Sequence, residues 1–256
     1  MSGKSSKVEE GVREFDFKDK DFELLKKIVS EHTGIVLTDA KRNMVYGRLA
    51  RRLRALNITR FSEYIAIVNK DEQELVNFIN SVTTNLTAFF RENHHFEYLT
   101  EKLLPSLLEK NKDTRKIRLW SAGCSTGEEP YSLAITLREF FEDHPGWDVK
   151  ILATDIDTNV IAKAASGVYS MERLEGLDPA LVKRWFVKGK GDNAGMVKVR
   201  RELQDLSSFK QLNLLQDWPM KGEFDFMFCR NVVIYFDKPT KINLFDRYAN
   251  IISSKG

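Results

Sequence analysis

Cysteine is scarce. Cys124 and Cys229 are the only two in 256 residues and no CxxC pair occurs, which excludes a disulfide scaffold and a cysteine-rich zinc cluster and fits a reducing, cytoplasmic setting. No run of 18 apolar residues exists, so no segment is expected to cross a bilayer as a helix. Residues 1–15 are polar and charged, without the apolar core of a secretory leader. Charge of one sign is lacking too: 40 Lys and Arg stand against 37 Asp and Glu, and a formal +3 gives no general coat for nucleic acid. Six prolines and 14 glycines are too few for a fibrous or low-complexity chain. What remains is enough chain for one large domain or two ordinary ones, with a sizeable core.

The first third has a helical rhythm. Phe22, Leu25, Ile28 and Val29 fall at spacings of three and four, as do Val45, Leu49, Leu53 and Leu56; Phe61, Tyr64, Ile65 and Val68; and Leu75, Phe78, Ile79 and Val82. A further helix is expected over 99–108. The texture then changes. Strands are expected over 117–121, 149–154, 209–214 and 224–229, and helices over 129–141, 159–165 and 238–252, an alternation that means a parallel sheet with helices on both faces. Trp185-Phe186-Val187 and Met196-Val197-Lys198-Val199, joined by a turn between Gly189 and Gly195, read as an inserted antiparallel hairpin. The expected organisation is a flexible N-terminus over 1–16, a helical domain over 17–88, a connecting helix and linker over 89–115, and an α/β domain over 116–256 with the insertion at about 184–205.

The loop 123–127 follows a strand and opens a helix, where small residues admit a ligand and free amides attract electron-rich groups. Asp155 closes the next strand, where a carboxylate can accept both hydroxyls of a nucleotide ribose. The loop is not GxGxxG, which weakens a nicotinamide reading. Glu128 and Glu129 before Pro130 can equally be read as acids that favour a helix N-terminus. On spacing alone, nucleotide binding and a purely structural loop both stand.

Longer words narrow the choice. Residues 84–92 read TNLTAFFRE, 120–132 WSAGCSTGEEPYS, 153–157 ATDID and 228–237 FCRNVVIYFD. Together, in this order and from about Phe17 onward, they resemble the chemotaxis receptor methyltransferases, the CheR family. The resemblance implies an α/β fold: a Rossmann-like S-adenosylmethionine-dependent methyltransferase domain with an inserted antiparallel β-hairpin subdomain, preceded by a small all-α domain. It implies transfer of a methyl group from S-adenosyl-L-methionine (SAM) to glutamate side chains of chemoreceptors, leaving S-adenosyl-L-homocysteine (SAH) and a glutamyl methyl ester. By position, the implied cofactor contacts are Asn85, Thr87, Arg91, Gly123, Glu128, Asp155, Asn213, Leu214, Arg230 and Asn231, with Asn85 and Thr87 between the two domains. Arg91 and Tyr235 are the candidates for direct roles in catalysis, Arg91 by holding a carboxylate and Tyr235 by orienting the incoming oxygen.

The implied chemistry needs no general base, because a glutamate with an ordinary pKa of about 4.3 is already ionised near pH 7. The absence of a recognisable triad is consistent with that. His94-His95 carries no ligand spacing for a metal, and none is expected. Cys124 and Cys229 read as small space-filling thiols. Residues 39–57 hold Lys41, Arg42, Arg48, Arg51, Arg52 and Arg54 against Asp39 alone. At about 100° per residue, Lys41, Arg48, Arg51 and Arg52 share a helix face, which reads either as a solvated surface or as a dock for the acidic helical face of a receptor. Nucleic acid is not expected, since Arg230-Asn231-Val232-Val233 stands where DNA amino-methyltransferases carry an NPPY-like word. The inserted hairpin matches the place where some family members grip a peptide at the receptor C-terminus. A monomer is expected. The chain stops at Ser253-Ser254-Lys255-Gly256 where the resemblance implies a glycine-rich turn and two more strands, so the expectation is either a truncated chain or a member that lacks them. Two alternatives stand beside the leading reading: a methyltransferase for another acceptor, and a non-catalytic module that binds cofactor or receptor.

Overall fold

The computed structural model describes residues 13–252. The chain divides into two compact units between Val82 and Thr83. In the first, α1 (Asp19–Thr33), α2 (Arg42–Ala55), α3 (Phe61–Val68) and α4 (Glu72–Val82) follow the apolar spacing of the sequence. Phe22, Leu25, Val29, Leu49, Leu53, Phe61, Tyr64 and Phe78 are buried together as its core. Leu56, expected on that stripe, lies past the last turn of α2 and is 37% exposed. Asp21 accepts the Lys18 amide at the start of α1, and Gly34 ends the helix at φ 70°, a left-handed cap that suits glycine.

Part of the expected flexible terminus, residues 1–12, lies outside the described residues. Beyond it the chain is anchored by two rings. Phe15 and Phe17 are buried, Phe17 lies 4.3 Å from the Phe61 ring, and the Phe15 amide donates to the Tyr46 hydroxyl at 3.2 Å. Burying a phenylalanine contributes about 1.5–3 kcal/mol, so the two rings offset a good part of the entropy lost in ordering the segment.

The second unit opens with a strap, residues 83–93. A helix follows, running from α5 (His94–Tyr98) through a π turn at Leu99–Leu103 into α6 (Leu104–Lys110). Then come β1 (Lys116–Ala122), α7 (Glu128–Glu142), β2 (Asp148–Asp155) and α8 (Thr158–Ser166). The insertion holds β3 (Val168–Ser170), α9 (Pro179–Trp185), β4 (Phe186–Lys188), β5 (Met196–Val199) and α10 (Arg201–Gln204). The chain returns through β6 (Ser207–Gln211), β7 (Phe226–Phe228) and α11 (Lys238–Ile251).

The main sheet has the order β6-β2-β1-β7, and every pairing is parallel. From β1 the chain steps to β2 and then β6 on one side, and returns to β7 on the other. That reversal makes a switch point beside the carboxyl end of β1, where open α/β sheets bind ligands. β1 runs between two layers, with Ile117, Leu119, Trp120, Ser121 and Ala122 all buried. The insertion is a three-stranded antiparallel sheet of order β3-β5-β4, wider than the expected two-stranded hairpin. It begins at Val168 and not near 184, because β3 joins β5 across the intervening α9 and β4, a long-range pairing that no local alternation announces.

Candidate active site

Three loops and the strap meet at the carboxyl edge of the main sheet. The first loop is 123–127. Gly123 and Cys124 amides both donate to the Thr154 carbonyl, at 2.7 and 2.8 Å, which folds the loop back over β2. Gly123 has φ +82°, and a Cβ there would lie 2.2 Å from Val232 Cγ2, so the 229–233 loop can approach only a glycine. Gly127, at φ +98°, leaves room for the Tyr169 hydroxyl.

Asp155 ends β2. Its Oδ2 accepts the Ser125 amide at 2.8 Å and its Oδ1 the Asp157 amide at 3.1 Å. Asp155 keeps some accessible surface, yet burial pushes its carboxyl above the ordinary value of 3.8. Leu212 donates its amide to the Asp155 carbonyl at 2.9 Å, which sets Asn213 and Leu214 beside the same strand end. Leu214 is buried, and its carbonyl accepts from Trp218 and Arg247.

The strap is fastened at successive points. Asp157 caps α8 through Oδ1, while its Oδ2 accepts from Thr83 Oγ1 at 2.8 Å and Asn85 Nδ2 at 2.7 Å. Ser125 Oγ donates to the Asn85 carbonyl at 2.9 Å, and the Phe90 amide donates to Ser132 Oγ at 2.9 Å. Arg91 turns back on the strap, donating to the Leu86 carbonyl at 2.9 Å. Of six non-glycine residues with positive φ among the described residues, Phe90, Glu92, Ser125 and Asn231 lie on the strap and these loops. Their surroundings must hold them there, since each such conformation costs about 1–3 kcal/mol.

Arg230 ties the strap to the 229–233 loop. Its Nη2 donates to the Arg91 carbonyl at 2.5 Å and pairs with Glu92 at 3.1 Å, while Nη1 pairs with Glu129 at 3.3 Å. Phe96 and Phe228 rings lie 5.8 and 5.9 Å from the guanidinium. Burial pushes the Glu129 carboxyl up against the pull of Ser121 and Arg230, and a hydrogen bond from Arg230 draws that of Glu92 down. Tyr235 sits in the turn Val233–Tyr235, its amide donating to the Val232 carbonyl at 3.1 Å.

Of the residues singled out from the sequence, Asn85, Gly123, Asp155 and Asn213 converge on the end of β2. Arg230 and Asn231 lie on the neighbouring loop, Tyr235 in the turn that follows it, and Arg91 stays on the strap with its carbonyl tied to Arg230. Glu128 and Glu129 exchange importance. Glu128 is fully buried, with one carboxylate oxygen taken by Arg173 and the other by Thr126. Glu129, one residue on, turns about 100° away to face Arg230 and Ser121. Sequence reasoning also passed over Asp157, Arg173, Glu92 and Ser125. Asp157 lies within the quoted word ATDID, and nothing local marks Arg173.

The basic helix divides as well. Arg52 grips Glu74 through Nε at 3.0 Å and through Nη2, and the buried Tyr64 hydroxyl donates to the same carboxylate at 3.0 Å. Arg52 is therefore committed to a nearly buried acid and leaves the docking set. Arg48 donates to the Ser81 carbonyl at 3.2 Å, and Lys41 is pulled below its ordinary pKa by burial first and Arg48 second. Arg51 is exposed.

A family model described as CheR methyltransferase, SAM binding domain, matches residues 85–256, and one described as CheR methyltransferase, all-alpha domain, matches 20–83. This chain belongs to the CheR methyltransferase family. It is 47% identical over 249 residues to chemotaxis protein methyltransferase 2 of Pseudomonas aeruginosa, covering 96% of this chain and 86% of that protein. It is 42% identical over 259 residues to the chemotaxis protein methyltransferase of Salmonella typhimurium, with 100% and 87% covered. The Escherichia coli protein of the same name is 42% identical over 258 residues, with 99% and 87% covered. As a CheR methyltransferase, the chain uses SAM as its methyl donor, and its fold is the α/β methyltransferase class with an all-α domain before it. The residues present suit that cofactor: the partners of Asp155 are backbone amides, so its carboxylate keeps lone pairs for a vicinal diol. No helix among the described residues is long and apolar enough to cross a membrane.

Proposed function

We propose that this enzyme methylates glutamate side chains of chemoreceptors, forming glutamyl methyl esters in chemotactic adaptation. The observation that carries the reading is the half-buried, reachable Asp155 beside the strap, in a chain whose relatives are named chemotaxis protein methyltransferases. Asp155 would hold the ribose hydroxyls. Asn213 and Leu214 would face the adenine, and Gly123 would let backbone lie close. Asn85, Thr87, Arg91, Arg230 and Asn231 would enclose the methionine end, with Glu129 and not Glu128 supplying the nearby carboxylate.

When bound, SAM supplies an already activated methyl carbon, which a carboxylate takes by direct displacement. The chain's task is alignment and exclusion of water. Arg91 would hold the acceptor carboxylate and Tyr235 would orient its attacking oxygen. No residue need take a proton. The groups nearby fit that: burial pushes the Cys124 thiol far up and Cys229 up to about 11, so neither is a thiolate near neutrality. Burial, with Arg230 and His94 adding to it, lowers the pKa of His95.

The acceptor would be a receptor's acidic helical face in the cytoplasm, met by a monomer through Arg51 with Lys41 and Arg48 beside it. A second contact would be an extended receptor peptide paired with β4, the edge strand of the inserted sheet, where Val187 is 49% exposed. Incubation with methyl-labelled SAM and a receptor cytoplasmic fragment, then alkali, tests the reading. Release of volatile methanol is expected. Label that resists alkali would mean another acceptor atom, and no label would mean a binding module.

A further inference from the structure

We propose that Arg173, contributed by the inserted sheet region, is a positioning residue for methyl transfer: it clamps the acid that opens α7 to the backbone of the strap. The inference rests on the reading above, in which Asn85 and Thr87 belong to the cofactor site.

Arg173 lies in the short turn Met171–Leu174 that follows β3. Its Nε donates to Glu128 Oε1 at 3.1 Å, Nη2 donates to the same oxygen, and Nη2 also donates to the Thr87 carbonyl at 2.9 Å. The other Glu128 oxygen accepts the Thr126 hydroxyl at 2.6 Å. Tyr169 of β3 holds the Thr126 carbonyl at 2.7 Å, passing through the space that Gly127 leaves. Two side chains of the insertion thus reach into the cofactor loop, and one of them continues to the strap.

A buried carboxylate is costly unless paired and hydrogen-bonded, so some partner for Glu128 is required. Neutralisation alone does not account for Arg173. Its planar fork spends a further donor on Thr87, and a guanidinium can span two acceptors that an ammonium cannot. The other strap fastenings come from the α/β framework: Asp157 at Thr83 and Asn85, Ser125 at Asn85, Ser132 at Phe90 and Arg230 at Arg91. Arg173 fastens the stretch between them.

The test compares Arg173→Lys with the double variant Arg173→Gln/Glu128→Gln. The first keeps the charge and loses the fork. The second removes both charges, so that no unpaired acid is left buried and the chain can fold. SAH affinity is measured by calorimetry, and kcat and KM for SAM are measured on a receptor fragment, at a temperature well below each variant's melting midpoint. In both variants Kd for SAH and KM for SAM are expected to rise about tenfold, the change that follows when the unfastened strap holds its binding position only about a tenth of the time, with unchanged circular dichroism. If both constants stay within twofold of wild type, whether or not the midpoint falls, Arg173 does not position the strap and the inference is overturned. Wild-type protein that binds no SAH would overturn the cofactor reading itself and this inference with it.

Discussion

Asp155, as the proposed ribose acceptor, would join stability to binding in one side chain. Burial raises its folded pKa above 3.8, so the folded protein holds its proton more tightly than the unfolded chain. This group's contribution to stability is therefore greatest at low pH and declines as pH rises from the ordinary value through the raised one. Cofactor hydroxyls would bond the ionised form, so SAH affinity should behave oppositely. Affinity is expected to be flat near neutrality and to fall as pH drops through the raised pKa, earlier than an exposed aspartate would allow. Asp155→Asn should bind more weakly and flatten the profile; a variant with the wild-type pH profile would remove Asp155 from the site. Asp155→Ala is expected to cost about 2–4 kcal/mol of SAH binding by calorimetry. The places of Asp155 at a strand end and of Gly123 in the loop after a strand were legible in the sequence, because strand, loop and helix N-terminus are fixed locally. The choice between Glu128 and Glu129 was not, since adjacent helical residues point to different neighbours and the neighbours come from afar. Arg173 is 45 positions from Glu128, and Asp157 is 72 from Asn85.

At the scale of the element, α2 separates a structural arginine from an exposed one. Breaking the Arg52–Glu74 pair leaves an acid that is only 5% exposed, with Tyr64 still bonded to it. Arg52→Ala is expected to destabilise the helical unit by about 2–3 kcal/mol, less than a fully buried pair because the arginine end meets solvent. Arg51→Glu should leave the melting midpoint unchanged and cut receptor methylation severalfold at low salt, less at high salt where the charges are screened. Equal methylation at low salt would make Arg51 a solvated surface residue. The four helices of the first unit were readable from apolar spacing, because each buries one stripe against the others. Glu74 was not, as nothing in its neighbourhood announces a buried acid. The helix from α5 to α6 buries Phe96, Leu99, Leu104 and Leu107, and the step of five between the middle pair is the π turn. The pairing of β3 with β5 spans the intervening α9 and β4 and left no local trace, so the insertion read as narrower than it is.

At the scale of the whole molecule, every candidate cofactor residue follows Thr83. Hydrogen exchange on the full chain should therefore show SAH slowing amides at 83–91, 123–127, 155–157, 213–214 and 230–231, with α1 to α4 unchanged. Protection spread over those four helices would contradict the assignment. Strand–helix alternation announced the parallel sheet, but the order β6-β2-β1-β7 is a property of pairing that no local pattern encodes. That order also has a consequence in time. β1 waits for Asp225, whose carboxylate accepts the Arg118 amide across 107 positions, and the Arg91 carbonyl waits for Arg230 across 139. At about 5–20 residues per second a ribosome needs on the order of ten seconds to make that stretch. Throughout that interval the nascent strap has been synthesised but lacks its last fastening, so the candidate site is completed only after residue 230 has been made, long after the helical unit has been synthesised.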